Sequence, residues 1–248
     1  MSKDQSDRPR EIRKQHFATT RWSIVLAVGD ADRQGSRDAL AQLCEAYWYP
    51  LYAYVRRRVH DVHEAQDLTQ AFFSRLLEKQ TIARADPERG RFRTFLLAAL
   101  QNFLHNEWEK TRAAKRGGGK LELSLDFDSG ESRYQIEPAH EMTAERLYER
   151  QWVLTILDEV LERLRNELVQ DGKPQYFDQF KGALTGEATA DDYDKAAVAL
   201  GITPAAAKHA AYRLRKRYRE LFRAEVARTV ECEEDVDPEI ERLLSILG

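Results

Sequence analysis

Residues 60–73, with the sequence HDVHEAQDLTQAFF, place several side chains of metal-binding and acid–base type close together. On a helix, His60, His63 and Glu64 lie on one side, and imidazole and carboxylate groups are common zinc ligands. A stable metal site also needs further ligands that converge from elsewhere and groups that orient them. None of the other histidines provides a second cluster of this kind, so we expect neither a metal nor another cofactor.

The sequence also lacks a pattern for catalysis. No pair of residues has the spacing of a nucleophile and its activating base, and the GGGK stretch at 117–120 lacks the rest of a phosphate-binding loop. Only Cys44 and Cys232 occur, which provide neither a disulfide framework nor a zinc knuckle. We therefore predict that the protein is not an enzyme. A helical metal-dependent hydrolase built on His60 and His63 is the enzymatic alternative, and bound metal would identify it.

Residues 194–221 predict a helix, a glycine turn and a second helix. Gly201 permits a left-handed turn, Thr203 is a favourable cap, and Pro204 suits the first position of the second helix. Helical spacing puts four residues on the buried face of that helix: Ala207, Ala211, Leu214 and Tyr218. The opposite face carries His209, Tyr212, Arg213 and Lys216. A helix with a basic exposed face is typical of a helix-turn-helix module that enters the major groove of DNA.

The formal net charge of -3 conceals a strong segregation of charge. Residues 204–223 contain seven basic residues and one acid, whereas residues 224–248 contain eight acids and two basic residues. The basic segment favours a polyanionic partner. In the acidic tail, Asp237 and Pro238 predict the start of a short helix with an apolar face formed by Ile240, Leu243, Leu244 and Leu247. This helix either packs into a core or screens the basic helix, and the sequence leaves both alternatives open.

Helical periodicity dominates the chain and no strand alternation is evident, so we predict an all-α fold with two helical domains. The predicted segments are a mobile N-terminal arm (1–16), a helical domain (17–116), a flexible linker (117–141), a helix-turn-helix domain (142–230) and an acidic tail (231–248). No apolar run approaches the roughly 20 residues that a membrane span needs, and the N-terminus lacks a secretory signal. We therefore expect a cytoplasmic protein without membrane insertion.

The combination of motifs resembles an extracytoplasmic-function sigma factor of bacterial RNA polymerase. The resemblance rests on Asp67-Leu68-Thr69-Gln70 followed by Phe72-Phe73, on FRTFLLAALQNFL at 92–104, and on the helix–turn–helix pattern. Residues 37–116 are similar to region two of that family, and residues 142–223 to region four. The resemblance implies core RNA polymerase and promoter DNA as partners. It leaves open whether an anti-sigma or other regulatory protein also binds.

The resemblance also implies a role for individual residues. It assigns docking on the polymerase to Asp67, Gln70 and Phe73. Contacts to the minus-ten promoter element fall to Asn102, His105, Asn106, Trp108, Arg112, Lys115 and Arg116. Contacts to the minus-thirty-five element fall to Thr203, Lys208, His209, Tyr212, Arg213, Arg215, Lys216 and Arg217. The alternative function is a free-standing helix-turn-helix regulator, whose N-terminal domain serves as a sensor or dimeriser.

Overall fold

The structure is a computed structural model that describes residues 33–78, 82, 91–113, 125–136, 142–186, 188–230 and 232–248. These residues form helices and turns and contain no strand, so the all-α prediction is confirmed for this part of the chain. No helix within it is long and apolar enough to cross a membrane. The predicted arm at residues 1–16 lies outside the described residues.

The helices fall into two compact units. In chain order they are α1 (Arg33–Arg58), α2 (Val62–Glu78), α3 (Phe92–Ala113), α4 (Phe127–Ile136), α5 (Ala144–Gln170), α6 (Pro174–Thr185), α7 (Ala190–Leu200), α8 (Pro204–Ala227) and α9 (Val236–Leu247). Unit 1 comprises the chain up to Val153 together with Ala227–Gly248, and unit 2 comprises Leu154–Val226. These boundaries differ from the predicted ones, which lie at residues 142 and 231.

The segment of helix α1 at residues 51–55 is buried on every side and lies in the core of unit 1. Its residues Leu51, Tyr52, Ala53, Tyr54 and Val55 are all fully buried. Consecutive helical residues point about 100° apart, so a fully buried run means that neighbours surround the helix. Helices α2 and α4 pack against α1, and Leu147 of α5 contacts Ala53.

The segment predicted as a flexible linker, residues 117–141, contains helix α4. Asp126 precedes this helix, and its carboxylate accepts a hydrogen bond from the backbone amide of Ser129 at 3.1 Å. This contact satisfies one of the amides that a helix start leaves unpaired. Asp126, one of the polar residues that suggested a linker, is therefore a helix cap.

Helix α4 is held against α1 by a close contact and a polar network. Gly130 permits the close approach, because an added Cβ atom would lie 2.8 Å from the ring of Trp48. The carboxylate of Glu131 accepts hydrogen bonds from the Tyr52 hydroxyl at 2.6 Å and from Arg56 at 3.0 Å. The glycine thus serves helix packing rather than chain flexibility.

The acidic tail forms helix α9, which belongs to unit 1. Its buried residues are Val236, Glu239, Leu243 and Ile246. Leu244 was predicted on the buried face, but it is 47% exposed. The buried face of α9 therefore includes a charged residue, Glu239, and is rotated relative to the apolar stripe in the sequence.

The carboxylate of Glu239 lies at the centre of an ionic cluster inside unit 1. It accepts a short hydrogen bond from Arg93 and forms ion pairs with Arg91 at 2.7 Å and Arg242 at 3.1 Å. Arg242 also pairs with Glu149 at 3.0 Å. Arg93 and Glu239 are both buried, and a buried charge is costly without a partner. The structure thus supports core packing as the role of the tail helix.

Replacing Glu239 with glutamine should destabilise the protein, because it leaves the buried charge of Arg93 without its counter-charge. We expect the free energy of unfolding to fall by about 3–5 kcal/mol, the usual cost of breaking a buried ion pair. Urea denaturation of the full chain, followed by tryptophan fluorescence, measures the change. Glu241→Gln is the matched control, since Glu241 is exposed on the same helix. Equal stability of the two variants would contradict the central role of Glu239.

Candidate nucleic-acid interface

The acid and histidine cluster spans the start of helix α2, which begins directly after Asp61, so His60 lies outside the helix. The Asp61 carboxylate accepts a hydrogen bond from the backbone amide of Glu64 at 2.8 Å, which caps the helix. His60, His63 and Glu64 are exposed. Within the part of the chain that the structure describes, no three His, Cys, Asp or Glu residues are grouped to hold a metal ion. Asp61 therefore has a local structural role in starting α2.

The three residues predicted to dock on the polymerase differ in their accessibility. Asp67 is exposed and Gln70 is half-buried, whereas Phe73 is only 2% exposed. The Phe73 ring packs against Phe72, which contacts Phe103 of α3 with 5.6 Å between ring centroids. A partner protein can reach Asp67 and Gln70 directly, while Phe73 lies in the core beside Phe72, the residue that contacts α3.

Helix α3 presents a polar and aromatic face opposite its buried side. The buried residues are Phe92, Leu96, Leu100, Phe103 and Leu104. On the other side Asn102, His105 and Asn106 are exposed, and Trp108 is 37% exposed. Of the further residues predicted to contact the minus-ten element, the Arg112 side chain, Lys115 and Arg116 lie outside the described residues.

The exposed residues of α3 form two adjacent rows. Gln101, His105 and Trp108 follow the spacing i, i+4, i+7 and form what we call the α3 stripe. Asn102 and Asn106 form the neighbouring row. A face of this kind can stack an unpaired base on its aromatic rings and contact base edges with its amides.

An acid within the same helix, Glu107, turns towards α2. Its carboxylate pairs with Arg75 of α2 at 3.7 Å and with Lys110 at 2.7 Å. The Arg75 guanidinium also lies 5.8 Å from the centroid of the Phe103 ring. The two ion pairs neutralise the charge of Glu107, and the pair with Arg75 joins α3 to α2.

In unit 2, helices α7 and α8 are connected by the predicted glycine turn. Gly201 has a φ of 63° in the left-handed region, which glycine adopts without strain. Thr189 and Asp192 form a capping box at the start of α7. The Thr203 hydroxyl accepts a hydrogen bond from the amide of Ala206 at 3.2 Å and so caps α8. The local sequence thus determines where both helices begin and where α7 ends.

Helix α8 separates a buried face of small residues from an exposed basic face. Ala207, Ala211 and Leu214 are buried and Tyr218 is half-buried, and burial raises the pKa of the Tyr218 hydroxyl to about 12. The residues predicted to contact DNA that are exposed are Thr203, Lys208, His209, Tyr212, Arg213, Lys216 and Arg217. Tyr212 is 64% exposed.

Two arginines that were predicted to contact DNA make contacts within unit 2. Arg215 donates hydrogen bonds to the Ala183 carbonyl oxygen at 2.8 Å and to the Tyr193 hydroxyl. It therefore connects α8 to α6 and α7. Arg217 donates two hydrogen bonds to Glu167, both at 2.8 Å. The hydrogen bonds to Glu167 raise the pKa of Arg217 above its ordinary value.

A segment that contains most of α1 and all of α2 and α3 matches a known protein family. Residues 43–114 match the family model of Sigma-70 region 2. This match supports a sigma factor, because region 2 binds core RNA polymerase and promoter DNA. No curated protein and no solved structure matches the chain.

The region 2 match contains the exposed side chains of α2 and α3 described above. Asp67 and Gln70 lie within it, as do the α3 stripe and its neighbours Asn102 and Asn106. Unit 2 and helix α9 lie outside the matched residues. The region 2 domain is therefore the part of the candidate interface that has support from a known family.

One polar network beside the region 2 face was not predicted from the sequence. The Gln101 amide donates to the Tyr54 hydroxyl at 3.1 Å, and Glu145 of α5 accepts from Arg58 at 2.6 Å. Burial acts to raise the pKa of Glu145, but hydrogen bonds from its own backbone, Arg58 and Tyr54 outweigh this effect and lower it. Gln101 and Glu145 lie 47 and 91 positions from Tyr54 in the sequence, so no local pattern indicates the network.

Replacing Phe73 with alanine should reduce the stability of the region 2 domain, because the ring is buried in the core and packs against Phe72. The expected loss is about 3–5 kcal/mol, the typical cost for a core phenylalanine. Chemical denaturation of the full chain measures it. The control is Asp67→Ala on the exposed face of the same helix, which should change stability by less than about 1 kcal/mol. A similar loss in both variants would contradict the assignment of the two faces.

Proposed function

We propose that the protein is a sigma factor of the extracytoplasmic-function type, which directs core RNA polymerase to promoters and helps to open them. The observation that carries the proposal is the region 2 match at residues 43–114. It is supported by the distribution of side chains, since exposed acids lie on α2 and an exposed aromatic and amide row lies on α3. This function consists of binding events, takes place in the cytoplasm, and needs neither a catalytic residue nor a cofactor.

In this proposal the region 2 domain has two working faces. Asp67 and Gln70 on α2 contact the polymerase, with Phe73 supporting them from the core. On α3, Trp108 and His105 stack on unpaired bases of the minus-ten element, and Asn102 and Asn106 contact base edges. Base–aromatic stacking contributes about 1–3 kcal/mol per base, so a few exposed rings suffice to hold a melted strand.

Unit 2 supplies recognition of the minus-thirty-five element in this proposal. The N-terminal half of α8 enters the major groove, where His209, Tyr212 and Arg213 read base edges. Thr203, Lys208 and Lys216 contact phosphates, which position the helix without reading sequence. The contacts of Arg215 and Arg217 within unit 2 support a different role for these two residues. They hold α8 against the helices behind it and so set the angle at which the reading face is presented.

Replacing Asp67 with alanine should weaken binding to core polymerase, because it removes the exposed charge of the docking face. The affinity of the labelled full chain for core polymerase, measured by titration, should fall several-fold while its circular dichroism stays unchanged. Asp128→Asn, an exposed acid on α4, serves as the control for the loss of one negative charge. Unchanged affinity in a folded Asp67→Ala variant would contradict the docking role. A chain that binds promoter duplexes but not polymerase would be a free-standing regulator instead.

Replacing Lys216 with alanine should flatten the salt dependence of DNA binding by about one unit, the expected effect of one lost phosphate contact. Arg217→Ala should leave the slope nearly unchanged, because its guanidinium is already paired with Glu167. The measurement is duplex affinity by fluorescence anisotropy across a range of salt concentrations, with thermal unfolding to verify that each variant is folded. Equal slopes for these two variants would contradict the division between exposed and paired cations.

A further inference from the structure

An exposed ion pair lies beside the α3 stripe. Arg58, the last residue of α1, donates a hydrogen bond to the Glu145 carboxylate at 2.6 Å. Its guanidinium carbon lies 4.9 Å from the centroid of the Tyr54 ring. The Arg58 and Glu145 side chains are 39% and 44% exposed, respectively. Arg58 is therefore a cation that solvent reaches and that a carboxylate neutralises.

Gln101 connects this ion pair to the α3 stripe. Its amide donates to the Tyr54 hydroxyl at 3.1 Å and to the Glu145 carboxylate at 3.5 Å. The Tyr54 hydroxyl donates to the same carboxylate oxygen at 3.2 Å. Gln101 is one end of the stripe, and Trp108 at the other end is about 10 Å away along the helix. The Arg58 cation therefore lies at the end of the face that is proposed to bind a melted strand.

We propose that Arg58 is a phosphate-binding residue of this face and that Glu145 occupies its guanidinium until a DNA phosphate takes its place. The inference rests on the proposed function and adds two residues to its DNA surface. The planar guanidinium binds carboxylates and phosphates with the same hydrogen-bond geometry. A phosphate oxygen can therefore replace the carboxylate while the Tyr54 ring keeps the guanidinium in position.

The exchange needs little energy because the ion pair is exposed and rests on one hydrogen bond, from Arg58 to Glu145. Arg217, by contrast, is held by two hydrogen bonds to Glu167 and a further one to Glu220. Exposed pairs such as that of Arg58 and Glu145 contribute little to stability, so breaking this one does not disturb the fold. The carboxylate also opposes DNA, since a negative charge beside the stripe repels any phosphate that approaches. Glu145 thus lowers the affinity for DNA that binds through its phosphates alone. A strand whose bases also stack on α3 is favoured, so Glu145 contributes to specificity.

The test compares the full chain with three variants, Glu145→Gln, the double variant Arg58→Ala/Glu145→Gln, and Asp128→Asn. Asp128→Asn makes the same change in charge at an exposed position on α4. The probe is a fluorescently labelled single-stranded DNA of random sequence, because a phosphate contact does not depend on sequence. Affinity is measured by anisotropy over a range of salt concentrations, and circular dichroism verifies the fold.

Glu145→Gln should bind the probe several-fold more tightly at low salt than Asp128→Asn. Its salt dependence should be steeper by about 0.7 units, the value for one phosphate contact on a single strand. The double variant should lose both gains. Equal affinities of Glu145→Gln and Asp128→Asn, or a gain that persists without Arg58, would overturn the inference.

The remaining outcomes separate this inference from the proposed function. If Glu145→Gln changes the affinity for core polymerase but not for DNA, the ion pair belongs to a protein-docking surface and the inference is wrong. If none of the four proteins binds the probe, the inference is also wrong, while binding of the unsubstituted chain to core polymerase would still support the proposed function.

Discussion

The complete burial of residues 51–55 of α1 is the constraint on which the rest of unit 1 depends. A helix whose residues 51–55 are all buried must be covered from every direction, and α2 alone covers one side. Helix α4 and the first turns of α5 supply further contacts, at Gly130 and Leu147. This requirement explains why a segment that reads as a linker folds onto α1. The region 2 match ends at residue 114, so the chain adds its own elements to that domain.

The partners of the basic side chains determine which of them are available for DNA. Arg93 is neutralised inside unit 1 by Glu239, and Arg217 is paired with Glu167 in unit 2. Arg215 is hydrogen-bonded to two other helices. In a basic run, therefore, the number of cations overstates the number of phosphate contacts. The exposed side chains of α8, above all Arg213 and Lys216, remain as the candidates for recognition.

Local features were predictable from the sequence because they depend on neighbouring residues. The turn at Gly201, the cap at Thr203 and the buried alanines of α8 each follow from a few adjacent positions. Features that depend on distant residues were not. The burial of Glu239 requires Arg93, which is 146 positions away, and the polarity of an isolated tail favours an exposed acid. Sequence spacing likewise places Arg215 on the shoulder of α8, and only the contact with Ala183 shows which way it turns.

We propose that this chain makes core RNA polymerase specific for promoters. The most direct measurement is transcription in vitro, with purified core polymerase, genomic DNA fragments and the full chain, followed by sequencing of the transcript 5′ ends. We expect the chain to produce transcripts from a defined set of start sites with a shared upstream sequence, and Asp67→Ala to abolish them. Start sites that are the same with and without the chain would contradict it.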